Sequence, residues 1–305
     1  MSLVINHNLM ATNAARNLSA SYSNLGVSTR RLSSGLRVGT AADDAAGLAV
    51  RELMRADISS LNQGVRNAMD AISLIQTADG ALGVIDEKLI RMKELAQQAA
   101  TGTYNSDQRL IIDSEYQAMA SEITRIANAT DFNGIYLLNG NLSAGTGDVA
   151  TNHDGSALKS EGPLKVHFGT ANDSSEDYYY IAIGNSTASA LGLGFGKDID
   201  RGAAGASIST QEMAQQALDA INAAIISKDQ IRANLGALQN RLENTVTNLQ
   251  IQSENLQAAE SRISDVDVAA EMTEFVRQQI LTQSAVAMLS QANSLPRMAM
   301  QLIGG

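Results

Sequence analysis

Two long stretches near opposite ends of the chain repeat apolar residues at alternating steps of three and four. The N-terminal stretch contains Leu82, Ile85, Leu89, Met92, Ala96 and Ala99. The C-terminal stretch, with two polar interruptions, contains Ile231, Leu235, Leu238, Leu242, Thr245, Leu249, Gln252 and Leu256. Because this spacing keeps one narrow stripe turned toward a partner helix, it is typical of a coiled coil. Glycine-rich, irregular sequence separates the two stretches, so the chain is predicted to form an antiparallel helical hairpin.

The composition of the 305 residues also favours long helices packed side by side. Aromatic residues make up only 4%, there is no Trp, and there are two Pro against eleven Met. Large closed pockets usually need more aromatic lining than this. There is no Cys, which excludes disulfides, Cys-ligated zinc, iron–sulfur clusters and thiol nucleophiles.

Charge and hydropathy limit the partners of the chain. The formal net charge of −10 argues against a nucleic-acid partner and against an anionic membrane surface. The first residues lack a basic region followed by a long apolar run, so a Sec-type signal peptide is not expected. No window approaches eighteen uninterrupted apolar residues, so we expect no membrane insertion. If the protein leaves the cell, another export route must carry it.

Breaks in the periodicity divide the chain into helices. The predicted helices cover about residues 1–34, 42–99, 106–128, 211–261 and 268–302. Capping-box spacings at Thr40-Ala41-Ala42-Asp43 and Ser209-Thr210-Gln211-Glu212 predict two of the helix starts. Asp79-Gly80 is a candidate interruption of the second helix, and Pro296 is expected to kink or loosen the last one.

The centre of the chain has a different texture. From about residue 135 to 207 it is rich in Gly, Asn, Asp, Ser and Thr, and Asn133-Gly134 is a strong turn signal. Segments 164–168 and 178–183 are predicted to be strands joined as a hairpin. The predicted fold class is therefore mainly α, a long antiparallel helical hairpin or coiled-coil bundle with a small β-hairpin region in the centre.

No combination of residues indicates catalysis. His7, His153 and His167 are far apart in the sequence, and no H-E-x-x-H motif is present. The pair Asp43-Asp44 is explained better by favourable charge at a helix N-terminus than by acid–base work. We therefore expect no catalytic site, no metal and no cofactor.

The apolar stripes have two interpretations. Within about residues 42–261, a Met and Leu stripe at helical spacing is expected to be internal core. The terminal helices carry stripes with no internal partner besides each other, which favours a subunit interface there.

Several long motifs make the chain recognisable. They are Ile5-Asn6-His7-Asn8, Arg31-Leu32-Ser33-Ser34-Gly35-Leu36-Arg37, Asp43-Asp44-Ala45-Ala46-Gly47-Leu48-Ala49, Ser73-Leu74-Ile75-Gln76-Thr77-Ala78, Phe132-Asn133-Gly134, Asn234-Leu235-Gly236-Ala237-Leu238-Gln239-Asn240-Arg241-Leu242 and Ala259-Glu260-Ser261-Arg262-Ile263-Ser264-Asp265-Val266-Asp267. On these motifs the chain resembles bacterial flagellin, the subunit of the flagellar filament, over nearly its whole length outside about 140–205.

The resemblance implies a division of labour along the chain. Residues 1–40 and 266–305 are expected to form a discontinuous, helical filament-core domain. Residues 41–265 are expected to form a rod domain that includes the β-hairpin segment at about 135–207, with little or no separate outer domain. The resemblance further implies export in an unfolded state through the flagellar type III system, termini that become helical only on assembly, and an extracellular location in the filament.

The resemblance also implies partners and sites. The chain itself is the main partner, in a helical homopolymer whose subunit contacts are expected from Leu18, Leu25, Leu281, Met288, Leu289, Leu295 and Leu302. An export chaperone is expected at the C-terminal region, with filament-cap and hook-junction proteins as further partners. Recognition by the vertebrate Toll-like flagellin receptor is expected to use Arg91, Leu95 and Glu115.

Three other functions are considered. The hook–filament junction protein shares the terminal helices, but the density of flagellin motifs at both ends argues against it. A flagellin with a protease insert would need a central H-E-x-x-H, which the sequence lacks. A soluble coiled-coil scaffold should lack the polar centre with its strands.

Overall fold

The computed structural model of the chain describes residues 8–143, 162–173, 176–193 and 205–303, without the side chains of 295–297 and 299–303. It forms two compact units. The terminal unit comprises Met1–Ile58 and Glu254–Gly305, and the central unit comprises Ser59–Ser253. The predicted fold class is confirmed, because long helices dominate the described residues and a small β-hairpin lies in the centre.

The terminal unit is built on two paired helices, α1 (Leu9–Ser34) and α5 (Val268–Ile303). The side chain of Asn8 caps α1 by accepting from the amide of Ala11, and Gly35, in the left-handed conformation with φ 73°, ends it. Asn8 Nδ2 also donates to the carbonyl of Ala292 at 2.8 Å, and Arg31 lies 3.6 Å from Glu271. These contacts at the two ends of α1 show that the helices run antiparallel.

Loops from distant parts of the sequence meet beside this helix pair. The amide of Arg37 donates to the carbonyl of Ser264 at 2.7 Å, and the amide of Val266 donates to the carbonyl of Gly35 at 3.0 Å. The buried Arg51 donates to the carbonyl of Val38 at 2.6 Å. Backbone groups that helix ends leave unpaired are thus satisfied across the unit.

Both capping predictions were wrong: the first cap lies four residues later than predicted, at Asp44 instead of Thr40, and the second lies one residue later, at Thr210 instead of Ser209. The cap of α2 (Ala45–Ala100) is Asp44, which accepts from the amide of Gly47 at 2.9 Å. Asp43 instead closes the preceding turn, where a hydrogen bond from the Thr40 hydroxyl lowers the pKa of the Asp43 carboxyl. Thr210 caps α4 (Gln211–Ser264) by accepting from the amide of Met213 at 3.2 Å.

The central unit contains most of α2 and α4 together with α3 (Ser106–Ala129), which starts at a complete capping box of Asn105 and Gln108. The candidate interruption at Asp79-Gly80 is absent, since α2 continues without a break. Gly80 is exposed, but Ala78 and Leu82 beside it are fully buried. Their burial outweighs the cost of one helical glycine, about 1 kcal/mol.

The predicted α2 stripe is confirmed, because all six of its residues are buried. On α4, however, the buried stripe differs from the predicted one at the two polar interruptions. Val246 and Ser253 are buried beside Leu242 and Leu249, whereas Thr245 is only half-buried and Gln252 is exposed. After Leu242 and after Leu249, the next buried residue therefore comes four positions later, whereas the prediction placed it three positions later.

Two small hairpins complete the central unit. Strands β1 (Asp131–Phe132) and β2 (Ile135–Tyr136) pair across Asn133 and Gly134, whose φ values of 53° and 81° are those of a type I′ turn. Strands β3 (Leu164–His167) and β4 (Tyr178–Ile181) pair antiparallel, as predicted.

The β3–β4 hairpin lies on α2 and α4. Asn67 Nδ2 donates to the carbonyl of His167 at 2.8 Å, and the Arg241 guanidinium stacks 3.6 Å over the ring of Tyr179. A Cβ at Gly64 would collide with the backbone carbonyl of Phe168. Gly64 therefore permits the close approach of helix and hairpin.

We predict that Gly64→Ala destabilises the central unit by about 1–3 kcal/mol, because the added methyl group overpacks against rigid backbone. Gly80→Ala is the matched control in the same helix, since a Cβ there meets nothing within 4 Å. It should stabilise the chain by about 0.5–1 kcal/mol. Urea unfolding curves measure both changes, and equal effects of the two variants would contradict the contact.

Candidate functional site

The α1–α5 pair of the terminal unit is the first candidate site. The half-buried and buried residues of α1 at three-four spacing are Ala11, Ala14, Leu18, Ser21, Leu25, Ser28 and Leu32. Those of α5 are Glu271, Phe275, Gln278, Thr282, Ala285, Leu289 and Ala292. Both stripes contain small and polar residues, and Ser28, Gln278 and Thr282 are buried. This seam buries little apolar surface for its length, so the pair gains little stability from it.

The outward faces of the same two helices are unusually apolar. The exposed large hydrophobic side chains there are Leu9, Met10, Tyr22, Val268, Met272, Val276, Ile280, Leu281, Val286, Met288 and Met298. These helices bury polar residues in their seam and expose Leu, Ile, Val and Met elsewhere. The hydrophobic core of the terminal unit is therefore incomplete. So many exposed large apolar side chains on two neighbouring helices make this pair a candidate interaction site.

The predicted assembly residues fall into three groups. Leu281 and Met288 are on the outward surface, 45% and 64% exposed. Leu18, Leu25 and Leu289 lie in the α1–α5 seam. The side chains of Leu295 and Leu302 lie outside the described residues.

A groove of about 680 Å³ runs between α1 and α5 on one side of the pair. Met10 and Ala14 of α1 and Leu281 and Met288 of α5 line it, with Asn and Gln side chains between them. Its shape and mixed lining suit a side chain or helix from another molecule.

Sequence reasoning missed Met10 and Ile280 as outward residues and assigned Leu18, Leu25 and Leu289 to subunit contacts. The two sets differ in their position around the helix axis, which the spacing of residues in the sequence determines. Positions on the stripe through Leu18 and Leu25 face the partner helix, and apolar residues off that stripe face outward.

The second candidate site lies on α2 and α3 in the central unit. Arg91 Nε and Nη2 donate to one oxygen of Glu115 at 2.9 and 2.8 Å, and Nη1 donates to Glu94 at 2.9 Å. The hydrogen bonds that Arg91 donates to Glu115, and secondarily to Glu94, raise the pKa of the Arg91 guanidinium. Arg91 and Glu115 are both about half exposed, so this ion pair presents a fixed, mixed-charge surface.

Leu95 differs from its two predicted companions. It lies one turn after Arg91 on α2, but only 2% of its surface is exposed. The structure thus brings Arg91 and Glu115 together and places Leu95 in the core. Any part that Leu95 has in binding must come from supporting the helices that carry the pair.

Of the three histidines in the sequence, the structure describes only His167. His167 stacks on Tyr178 with ring centroids 6.1 Å apart, and His7 and His153 lie outside the described residues. Among the described residues, no three His, Cys, Asp or Glu side chains are grouped to hold a metal ion. Among the described residues, α2 is long and apolar enough to cross a membrane, a property that it shares with the core helices of soluble proteins.

Family comparisons cover most of the chain. The family model for the bacterial flagellin N-terminal helical region matches residues 5–143, and that for the bacterial flagellin C-terminal helical region matches residues 218–303. A flagellin of Halalkalibacterium halodurans is 39% identical, over 99% of this chain and 100% of its own length. The flagellar filament 33 kDa core protein of Treponema phagedenis is also 39% identical, again over 99% and 100%.

Among solved structures, a putative flagellar hook-associated protein from Vibrio parahaemolyticus superposes with a TM-score of 0.53. The superposition covers 73% of this chain and 100% of that one, at 15% sequence identity. At this identity the likeness concerns the fold alone.

We predict that Leu95→Ala destabilises the central unit by about 2–5 kcal/mol, since it leaves a cavity in the core. Arg91→Ala should change stability far less, because an exposed ion pair contributes little. Thermal unfolding followed by circular dichroism compares the two variants. Equal losses would show that Leu95 is not the core residue the structure indicates.

Proposed function

Because this chain belongs to the bacterial flagellin family, we propose that the terminal unit is the part through which its subunits polymerise. The chain is a structural subunit that self-assembles into the flagellar filament, a homopolymer. Its family is one of structural proteins.

The observation that carries this proposal is the contrast between the two faces of α1 and α5. Their mutual seam is partly polar, while their outward faces carry eleven large apolar side chains. Full burial of each Leu, Ile, Val or Met side chain is worth about 1.5–3 kcal/mol. The free energy that the isolated pair lacks is therefore available when copies pack together.

A filament requires heterologous contacts that do not close into a ring. The terminal unit suits this geometry, because its apolar side chains project from several sides of two long helices. Each copy can then contact more than one neighbour. In this proposal residues 1–40 and 266–305 form the filament-core domain, and residues 41–265 form the rod domain.

The polar seam also accounts for the expected behaviour of the free subunit. Helices that bury so little apolar surface are marginal by themselves and become stable only when neighbours cover them. Such termini pass easily through the flagellar type III export channel. An export chaperone at the C-terminal region would cover the apolar face of α5 before export, and cap and hook-junction proteins would meet the same helices outside the cell.

The ion pair on the rod supports a second role within this function. We propose that Arg91 and Glu115 form the surface read by the vertebrate Toll-like flagellin receptor. Their hydrogen bonds hold both side chains in one exposed arrangement, so a partner binds them without ordering them first. Leu95 contributes by fixing α2 from within the core.

For assembly, we predict that Leu281→Asp and Met288→Asp abolish polymerisation while the monomer keeps its rod. A charge in an apolar interface must be desolvated without a partner. Electron microscopy of seeded samples counts filaments, and circular dichroism checks the rod.

Gln283→Asp is the matched control. It adds the same charge to an exposed position of α5 that does not line the groove with Leu281 and Met288, and it should still polymerise. Filaments of normal length from the Leu281 and Met288 variants would refute the role of this face.

For receptor recognition, we predict that Arg91→Glu removes signalling by purified monomer in a receptor reporter cell line. The charge-swapped double variant Arg91→Glu with Glu115→Arg keeps an ion pair and its stability, yet should remain inactive because the receptor meets reversed charges. A swapped variant that signals like the original chain, or no response to the original monomer, would contradict direct reading of this pair.

A further inference from the structure

Lys228 occupies an unusual place in the central unit. It is 2% exposed and lies in the α4 stripe otherwise made of small and aliphatic residues. The buried members of this stripe on either side of it are Ala214, Ala217, Ile221, Ala224, Leu235 and Leu242. A lysine in such a stripe must keep its ammonium group solvated or paired.

The ammonium group is paired at the rim of the helix interface. Lys228 Nζ lies 2.6 Å from Asp86 of α2 and 2.7 Å from Asp229 of its own helix. One turn further along α4, Arg232 makes two hydrogen bonds to Asp79, at 2.7 and 3.2 Å. Arg232 follows Lys228 in α4, whereas its partner Asp79 precedes Asp86 in α2. The two helices are therefore antiparallel.

Stability alone does not explain a buried lysine. An apolar residue of similar size at such a position is often as stable as a buried ion pair or more so, because neither charge needs desolvation. The best-attested use of polar residues in helix seams is to specify register. The apolar stripes cannot do this by themselves, because they repeat every seven residues: Leu82 precedes Leu89, and Leu235 precedes Leu242.

The pairs Lys228–Asp86 and Arg232–Asp79 distinguish the observed register from registers shifted by seven residues in either direction. A slip of seven residues one way places Lys228 beside Lys93 while Arg232 meets Asp86. The opposite slip places Lys228 beside Asp79 while Arg232 meets Ile72. In the first case two like charges meet at the interface, and in the second a guanidinium loses its carboxylate. Lys228 keeps Asp229 of its own helix in any register. Only the observed register also pairs both cations with aspartates of α2.

We propose that Lys228 and Arg232 together fix the register of α2 against α4, each excluding a slip in one direction. Lys228 excludes the slip toward Lys93, and Arg232 excludes the slip toward Ile72. The role is separate from polymerisation, since all these residues belong to the central unit.

The absence of Cys from the chain provides a clean test. In the full-length monomer, the pair Asn62→Cys with Ser253→Cys reports the observed register, since these two side chains are 3.5 Å apart. The pair Met69→Cys with Ser253→Cys reports the slip toward Lys93. The pair Asn62→Cys with Val246→Cys reports the slip toward Ile72. Each is refolded in a thiol–disulfide exchange buffer and quantified by mass spectrometry.

We expect Lys228→Met to raise the first slipped disulfide about tenfold and to leave the second unchanged. Arg232→Met should do the reverse. Both variants should keep their helicity, because the replacements are apolar. Lys88→Met, which removes a cation that pairs with neither Asp79 nor Asp86, is the control and should raise neither.

The opposite results would overturn the proposal. If both variants form only the disulfide of the observed register, other contacts set the register. If each variant forms more of both slipped disulfides, Lys228 and Arg232 do not each exclude a slip in one direction. Loss of helicity in Lys228→Met would show that the lysine is needed for stability instead.

Discussion

The structure depends on one limit: a helix in a coiled-coil pair can bury only one narrow stripe against its partner. In the central unit that stripe is apolar, and α2 buries Leu82, Ile85, Leu89 and Met92 completely. In the terminal unit the equivalent stripe contains Ser28, Gln278 and Thr282 beside a few Leu residues, and eleven large apolar residues lie outside it. The same architecture therefore yields a well-buried apolar core in the central unit and an incomplete one in the terminal unit.

This difference between the two units underlies the assembly that we propose. Under the proposed function, the first part of the chain, the central unit, folds alone, and the second part, the terminal unit, becomes stable among copies of itself. The second part is assembled from both ends of the chain, which meet at the short bridge between Leu36 and Asp265. The assembly surface that we propose therefore requires both α1 and α5. The rod carries the exposed Arg91–Glu115 pair, whose position does not depend on that surface.

The sequence predicted the helices, both strands of the β3–β4 hairpin and the buried face of α2, because the periods of 3.6 and 2 are strong over such lengths. The sequence-based prediction failed where neighbouring residues could each occupy the buried face of the helix or where packing outweighs a local signal. Glycine at position 80 suggested a break, but burial on either side of it maintains the helix. Thr245 and Gln252 continued the expected spacing, yet Val246 and Ser253 are buried, since the helix phase drifts relative to a seven-residue repeat. Leu95 matched a recognition motif, and only packing shows that it is core. Lys228 was overlooked because a lysine within a stripe looks like an interruption until its partner Asp86 is known.

The most direct test of the account is amide hydrogen exchange of the full-length chain, measured first as monomer and then as polymer. The account predicts that amides of α1 and α5 exchange rapidly in the monomer and become protected in the polymer. Amides of α2 and α4 around the buried stripe of the central unit should be protected in both. Equal protection of α1 and α5 in the two states, at the level of the central unit, would show that the terminal unit is complete by itself and would contradict the central claim.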